Sequence, residues 1–198
     1  MPADKPPESC QRAIDDTQAW LERAVIGLNL CPFAKAVHVK GQIHISVSLA
    51  NTPGVLMDDL ENELKSLLSL DRQARATTIL IAPYGFQEFL DFNDVLARAD
   101  RLLARLALEC VIQIASFHPQ YQFAGTTSDD VTNFTNRAPY PTLHLLREES
   151  VDEAVQSFPH AEEIFEKNMQ TLTALGLDGW QALDVGPHLG AARGKIGP

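Results

Sequence analysis

A chain of 198 residues is long enough for one well-buried core and short for two. Its 16 basic side chains against 26 acidic ones leave a formal charge of −10 with no basic stretch to reverse it locally, so neither nucleic acid nor anionic lipid is an expected partner. No apolar run approaches the roughly 20 residues that span a bilayer, and Cys10, Cys31 and Cys110 form no C-x-x-C pair, which suits reduced thiols in a cytoplasm.

Residues 1–10 read as a disordered lead-in; Met1 to Glu8 carries prolines and charges with no apolar segment behind it, unlike a secretory signal. A helix follows, with Ile14, Leu21, Val25 and Leu28 at helical spacing beside Trp20 and Ala24. Cys31-Pro32 interrupts it, because proline disfavours helix at the residue before it. From Gln42 to Leu49, Ile43, Ile45, Val47 and Leu49 alternate with His44, Ser46 and Ser48, which predicts a strand with one buried and one polar face. Thr52-Pro53 opens a second helix with the apolar stripe Leu56, Leu60, Leu64 and Leu67.

Thr77 to Ala82 is a β-rich run ended by Pro83 and Gly85. A long helix then carries Phe89, Phe92, Leu96, Ala99, Leu103 and Leu106 at steps of three and four. Cys110–Phe117 and Thr142–Leu146 are the third and fourth strands. Ser150 and Glu153 have capping-box spacing, and a final helix from Ala161 to Leu175 is ended by Gly176. Two β-α-β crossovers imply parallel strands, and the fourth strand, reached without a long helix, is expected antiparallel at an edge. The fold class is α/β, with α+β as the alternative: a mixed, mostly parallel four-stranded sheet with helices packed against it. Residues 11–180 form one domain on this reading, and the glycine-rich residues 184–198 a flexible tail, with Arg193 and Lys195 able to reach back across a site holding an anion.

The strongest functional clue is a length. About 25 residues separate strands three and four, where compact domains usually spend four to six. This stretch holds Tyr121, Phe123, Phe134 and Tyr140, three prolines and a single glycine, a composition that wants burial rather than disorder. It also leaves the carboxyl end of a strand expected to be parallel, where open α/β sheets place ligands. His118 stands there to move a proton and Tyr121 to stack on a substrate, with Phe123 walling the pocket. Asn133, Asn136 and Arg137 follow, with the Arg137 fork suited to a carboxylate or phosphate. The competing reading pairs Arg137 with Asp129 or Asp130 and uses His118 and the asparagines to pin the loop.

Cys31 is the second clue. With Pro32 opening a short helix, its thiol would feel the positive end of the dipole and act as nucleophile beside His118; otherwise it is a small buried hydrophobe. The third is a polar sheet face in which His44, Ser46, Gln113 and His144 alternate with apolar neighbours, a pocket floor or a wet surface. No histidine pair has H-x-x-x-H spacing, so a metal would need His44, His118 and His144 assembled from separate strands. Phosphate-loop, dinucleotide and serine-hydrolase motifs are absent, and no motif names a cofactor.

Three segments resemble an uncharacterised bacterial family, with plastid relatives, of unknown function. They are Asn29-Leu30-Cys31-Pro32-Phe33-Ala34, Ser116 to Gly125, and Asn136-Arg137-Ala138-Pro139-Tyr140-Pro141-Thr142-Leu143-His144-Leu145-Leu146-Arg147. The resemblance runs from about Trp20 to about Leu175 and implies no activity, cofactor or residue role. From the residues themselves, the expected function is binding of a small molecule, with catalysis on an anionic or planar metabolite at the 116–140 loop. The substrate-facing set is Tyr121, Asn133, Asn136, Arg137 and His144, and the catalytic pair Cys31 and His118. The alternatives are a protein-docking module that uses the aromatic loop and a metal-site protein built on the three histidines.

Overall fold

Four β-rich runs and the leucine stripes between them assemble into one sheet with helices on both faces. The computed structural model describes residues 7–158 and 160–188. In chain order these are α1 (Glu8–Trp20), a π-helical segment (Leu21–Ile26), α2 (Ala34–Val39), β1 (Ile43–Val47), α3 (Pro53–Ser69), β2 (Thr77–Ile81) and α4 (Phe89–Arg105). β3 (Ile112–Phe117), a 3-10 segment (Val131–Asn136), β4 (Thr142–Arg147), α5 (Glu148–Ser157), a short 3-10 turn (Ala161–Glu163) and α6 (Ile164–Ala182) complete it. Most of the expected lead-in, together with Arg193 and Lys195, lies outside the described residues.

The strand order is β1-β2-β4-β3, with β1 and β2 parallel and β4 antiparallel to both of its neighbours. The sheet is mixed, as expected, but only the β1–β2 ladder is parallel. The orientation expected for β4 holds and its place does not: it lies inside the sheet, and β3 takes the edge. Thr142, Leu143, Leu145 and Arg147 of β4 are buried, whereas Gln113 of β3 is exposed.

On one face α3 and α4 pack through the main hydrophobic core. Leu56, Leu60, Leu64 and Leu67 of α3 are at most 1% exposed and meet Phe92, Val95, Ala99 and Leu102 of α4 over Leu80, Leu143 and Leu145. Burying each such leucine stabilises the fold by about 1.5–3 kcal/mol. Thr52 precedes Pro53 at the start of α3 as expected, although its hydroxyl makes no cap bond. At the other end Arg147 Nη2 donates to Leu67 O at 2.7 Å and Leu70 O at 2.8 Å, placing a cation on the helix's orphan carbonyls.

The opposite face is covered by α1 and the π-helical segment, through Ala13, Trp20, Leu21 and Ala24. Here the Gly27 N–H donates to Glu22 O at 3.0 Å and the Leu30 N–H to Val25 O at 2.9 Å, both five residues back. A Cβ on Gly27 would lie 2.2 Å from Arg23 O, so this turn requires glycine.

α5 starts at Glu148, so Ser150 sits inside its first turn rather than capping it. In α6 the helical path breaks at Gly176, at φ 66° and ψ 179°, and then resumes to Ala182 instead of ending. The described part of the expected tail is tied down. Arg23 Nη1 donates to Leu183 O and Asp184 O, and Val185 is buried. Asp16, 6% exposed in α1, accepts from Tyr140 Oη at 2.5 Å, from the His188 N–H at 2.8 Å and from His188 Nδ1 at 2.6 Å. Cys10 is a buried member of α1 rather than part of a lead-in.

Candidate functional site

In the 116–140 loop nearly every polar group named from the sequence is spent on the loop itself. His118 is fully buried, its ring 5.4 Å from Phe89 and 5.3 Å from Phe92. Nδ1 accepts the Gln120 N–H at 3.0 Å, so Nε2 carries the hydrogen and donates to Phe86 O at 2.9 Å. Burial lowers its pKa, which keeps the ring neutral. With both nitrogens engaged it has no site left for moving a proton.

Asn133, also fully buried, accepts from the Phe123 N–H and Thr126 Oγ1 and donates to Thr127 O. Asn136 donates to Ser116 O at 3.4 Å. Arg137 pairs with neither Asp129 nor Asp130. Its Nε donates to Tyr121 O at 3.1 Å, its Nη2 to Ser128 O at 2.6 Å, and its guanidinium lies 4.6 Å over the Phe134 ring. Burial lowers its pKa, and the open depression it borders also holds Glu88 and Asp91, which repel an anion. Tyr121 and Phe123 are half-buried against one another, Phe123 also meets the exposed Phe165 ring at 6.0 Å, and Tyr140 is 3% exposed.

The pocket lies on the other side of the sheet. Trp20, the π-helical segment, α2 and α5 line a half-open cavity of about 340 Å³ over the sheet residues Ile79, Ala115, Phe117, His144 and Leu146. Leu21 and Val25 form its roof, Phe33 and Val37 one wall, and Val151 and Ala154 of α5 the other. Neither α2 nor α5 contributes a fully buried residue, so both are lightly anchored walls. Phe158, just beyond α5, meets the Phe33 ring edge-on at 5.6 Å.

His144 is the polar centre of this cavity. Its Nε2 lies 2.7 Å from Thr77 Oγ1, whose own hydrogen goes to Leu145 O at 2.5 Å. The Thr77 oxygen therefore accepts, Nε2 carries the ring hydrogen, and Nδ1 is left as an acceptor. Among the described residues Nδ1 has no partner and is not sealed off, so it is open to the cavity. Burial lowers the His144 pKa to about 4, so the imidazole is neutral. Thr142 lines the cavity too, but its hydroxyl donates to Tyr140 O at 2.7 Å.

Cys31 reaches the cavity wall from the turn before α2. The helix begins at Ala34 rather than at Pro32, and burial pushes the Cys31 thiol up, against the smaller opposing effect of the Phe33 and Ala34 N–H groups. This is a protonated thiol, not the thiolate expected of a nucleophile. Cys31 and His118 are not brought together. Cys31 sits under the face covered by α1, and His118 among the aromatic side chains of α4.

The polar sheet face divides in the same way. His44 pairs with Thr78 and His144 with Ile79, successive residues of β2, so the two histidines project to opposite faces. His44 faces Glu63 and Arg75 of the α3 side, its pKa lowered by burial and then by Arg75, while Gln113 is exposed. His44, His118 and His144 therefore form no ligand set. Among the described residues the one grouping with metal-ligand spacing is His160, Glu162 and Glu163, in and beside a surface 3-10 turn.

Of the expected substrate-facing residues, His144 alone faces this cavity. Thr77 and the α5 wall were not anticipated. The run Thr77-Thr78-Ile79-Leu80-Ile81 is buried throughout and carries no alternation to say which threonine faces which way.

A family model described as a protein of unknown function (DUF1415) matches residues 12–182. The chain belongs to this family. The match runs from α1 to the end of α6, so every wall of the cavity lies within the family's span. No curated protein and no solved structure matches the chain. Among the described residues no helix is long and apolar enough to cross a membrane.

Proposed function

We propose that this chain binds a small, mostly apolar molecule in the cavity beneath the π-helical segment, α2 and α5. The observation that carries the reading is a half-open apolar pocket with one unpartnered basic nitrogen, His144 Nδ1, at its floor. Ligand sites combine an apolar lining with few placed polar groups in this way, and their volumes start at about 300 Å³. At interior packing density a 340 Å³ cavity holds about 250 Å³ of ligand. The neutral Cys31 thiol supports binding over nucleophilic chemistry, and the bonds that tie His118, Asn133 and Arg137 to nearby backbone argue against the 116–140 segment as the anion site. The three free cysteines agree with the cytoplasmic setting expected from the sequence.

Native mass spectrometry of the chain purified from cells tests this, alongside titration with N-phenyl-1-naphthylamine, an uncharged apolar fluorophore with one N–H. The wild-type chain is expected to carry an organic mass lost on denaturation or to bind the fluorophore, and Ala154→Trp, which fills the cavity from α5, to do neither while staying folded. Bare wild-type protein that also leaves the fluorophore in water would sink the proposal.

A further inference from the structure

We infer that the occupant of this cavity is an uncharged apolar alcohol or phenol whose hydroxyl donates to His144 Nδ1. The inference rests on the binding reading above and names its ligand class.

The argument is one of donors and acceptors. Thr77 fixes the tautomer by accepting from Nε2 and passing its own hydrogen to Leu145 O, so the nitrogen left facing the ligand can only accept. A ligand carbonyl or ether placed there would set lone pair against lone pair, and a carboxylate would add a charge. Among the described residues no cation is placed to receive that charge. Arg147 borders the cavity, but its guanidinium lies on the α3 side of β4, where Nη2 donates to Leu67 O, Leu70 O and Arg75 O and Nε is buried without a partner. Burial holds the imidazole itself neutral, so it cannot become the missing donor near neutral pH. The Cys31 thiol and the Ser150 hydroxyl at the wall add weak or rim polarity but no charge. An anion would thus lose its hydration without compensation. A hydroxyl loses one water bond and regains one bond to nitrogen, while the rest of the ligand meets apolar wall.

Calorimetry on the full chain at neutral pH, with three probes of one shape, decides it. 2-Naphthol offers a donor, 2-methoxynaphthalene only an acceptor, and 2-naphthoate a charge. 2-Naphthol is expected to bind about tenfold more tightly than the methyl ether, the value of one net hydrogen bond, and 2-naphthoate not at all. Thr77→Val frees the tautomer to place its hydrogen on Nδ1, so the preference should narrow to near parity or reverse; Thr77→Ser should keep it. His144→Phe should bind both uncharged probes alike, and the two Thr77 variants carry the test if that protein does not fold. Equal binding of alcohol and ether by the wild type, or tightest binding of 2-naphthoate, would overturn the inference and leave the cavity reading standing. Failure of all three probes would overturn both.

Discussion

The two faces of the sheet are built from similar amounts of apolar sequence and end in opposite states. Against α3 and α4, leucines at four-residue steps interlock with Phe92 and Val95. Against α1 and the π-helical segment, Ala13 and Ala24 stand beside the single large ring of Trp20, and a widened turn lifts Leu21 and Val25 over a void. A regular 3.6-residue stripe closes a face, and small residues with one irregular turn hold a face open. The cavity follows from which side chains are short, and a hydropathy profile does not distinguish short apolar residues from long ones.

Truncating a side chain on each face gives the largest contrast. Leu60→Ala should cost about 3 kcal/mol or more, because it opens a hole in filled packing. Val151→Ala, at a wall that already borders empty space, should cost about 1 kcal/mol or less. Urea unfolding of the two variants checks this, and equal losses would mean that the cavity face is as tightly filled as the other.

The open face also has its own pH dependence. His144 is held neutral in the fold at a pKa of about 4, against an ordinary value near 6.5. The unfolded chain therefore takes up the proton first as pH falls. Stability should drop by on the order of 3 kcal/mol between pH 6.5 and 4, then level off for this group. His144→Phe should flatten that part of the profile in thermal melts across the window. A slope unchanged by the substitution would place its origin elsewhere.

His188 sharpens the comparison with the opposite sign and the smallest effect. Its bond to Asp16 raises its pKa, so its contribution is fully present below about pH 6.5 and fades as pH rises through the folded value. The ring is 44% exposed, and screening limits the contribution to a few tenths of a kcal/mol. The stability difference between wild type and His188→Ala should be measurable at pH 5 and vanish at alkaline pH. A constant difference would trace the loss to packing instead of charge.

Much of the fold could be read from the sequence because its signals are periodic. The α3 stripe, the alternation in β1 and the ends of α4 fall where spacing puts them, and the family segments mark a real unit. The site was harder to read because its signals are relational. The length and aromatic content of the 116–140 loop mark it as ordered, yet the same residues serve a loop that satisfies itself as readily as a loop that binds. His118 and Arg137 look functional by residue type, and only their hydrogen bonds show that both His118 nitrogens and the Arg137 Nε and Nη2 are committed to backbone groups. His144 was singled out on a face with His44, and strand register alone separates them. Asp16, charged and buried, follows no hydropathy rule because its burial depends on Tyr140 and His188, more than 120 residues away.

The position of β4 bears on how the chain comes to be folded as it is made. β3 has no ladder of its own to β2; both are joined only through β4, which follows them in the sequence. A nascent chain that has emerged as far as Arg137 can close the β1–β2 pair with α3, but it carries β3 as an orphan strand beside an open edge. Until Thr142–Arg147 arrives, two unpaired strand edges sit on one polypeptide, the condition under which chains associate with one another. Translation pauses or truncations just before residue 142 are where this protein should be most dependent on a chaperone.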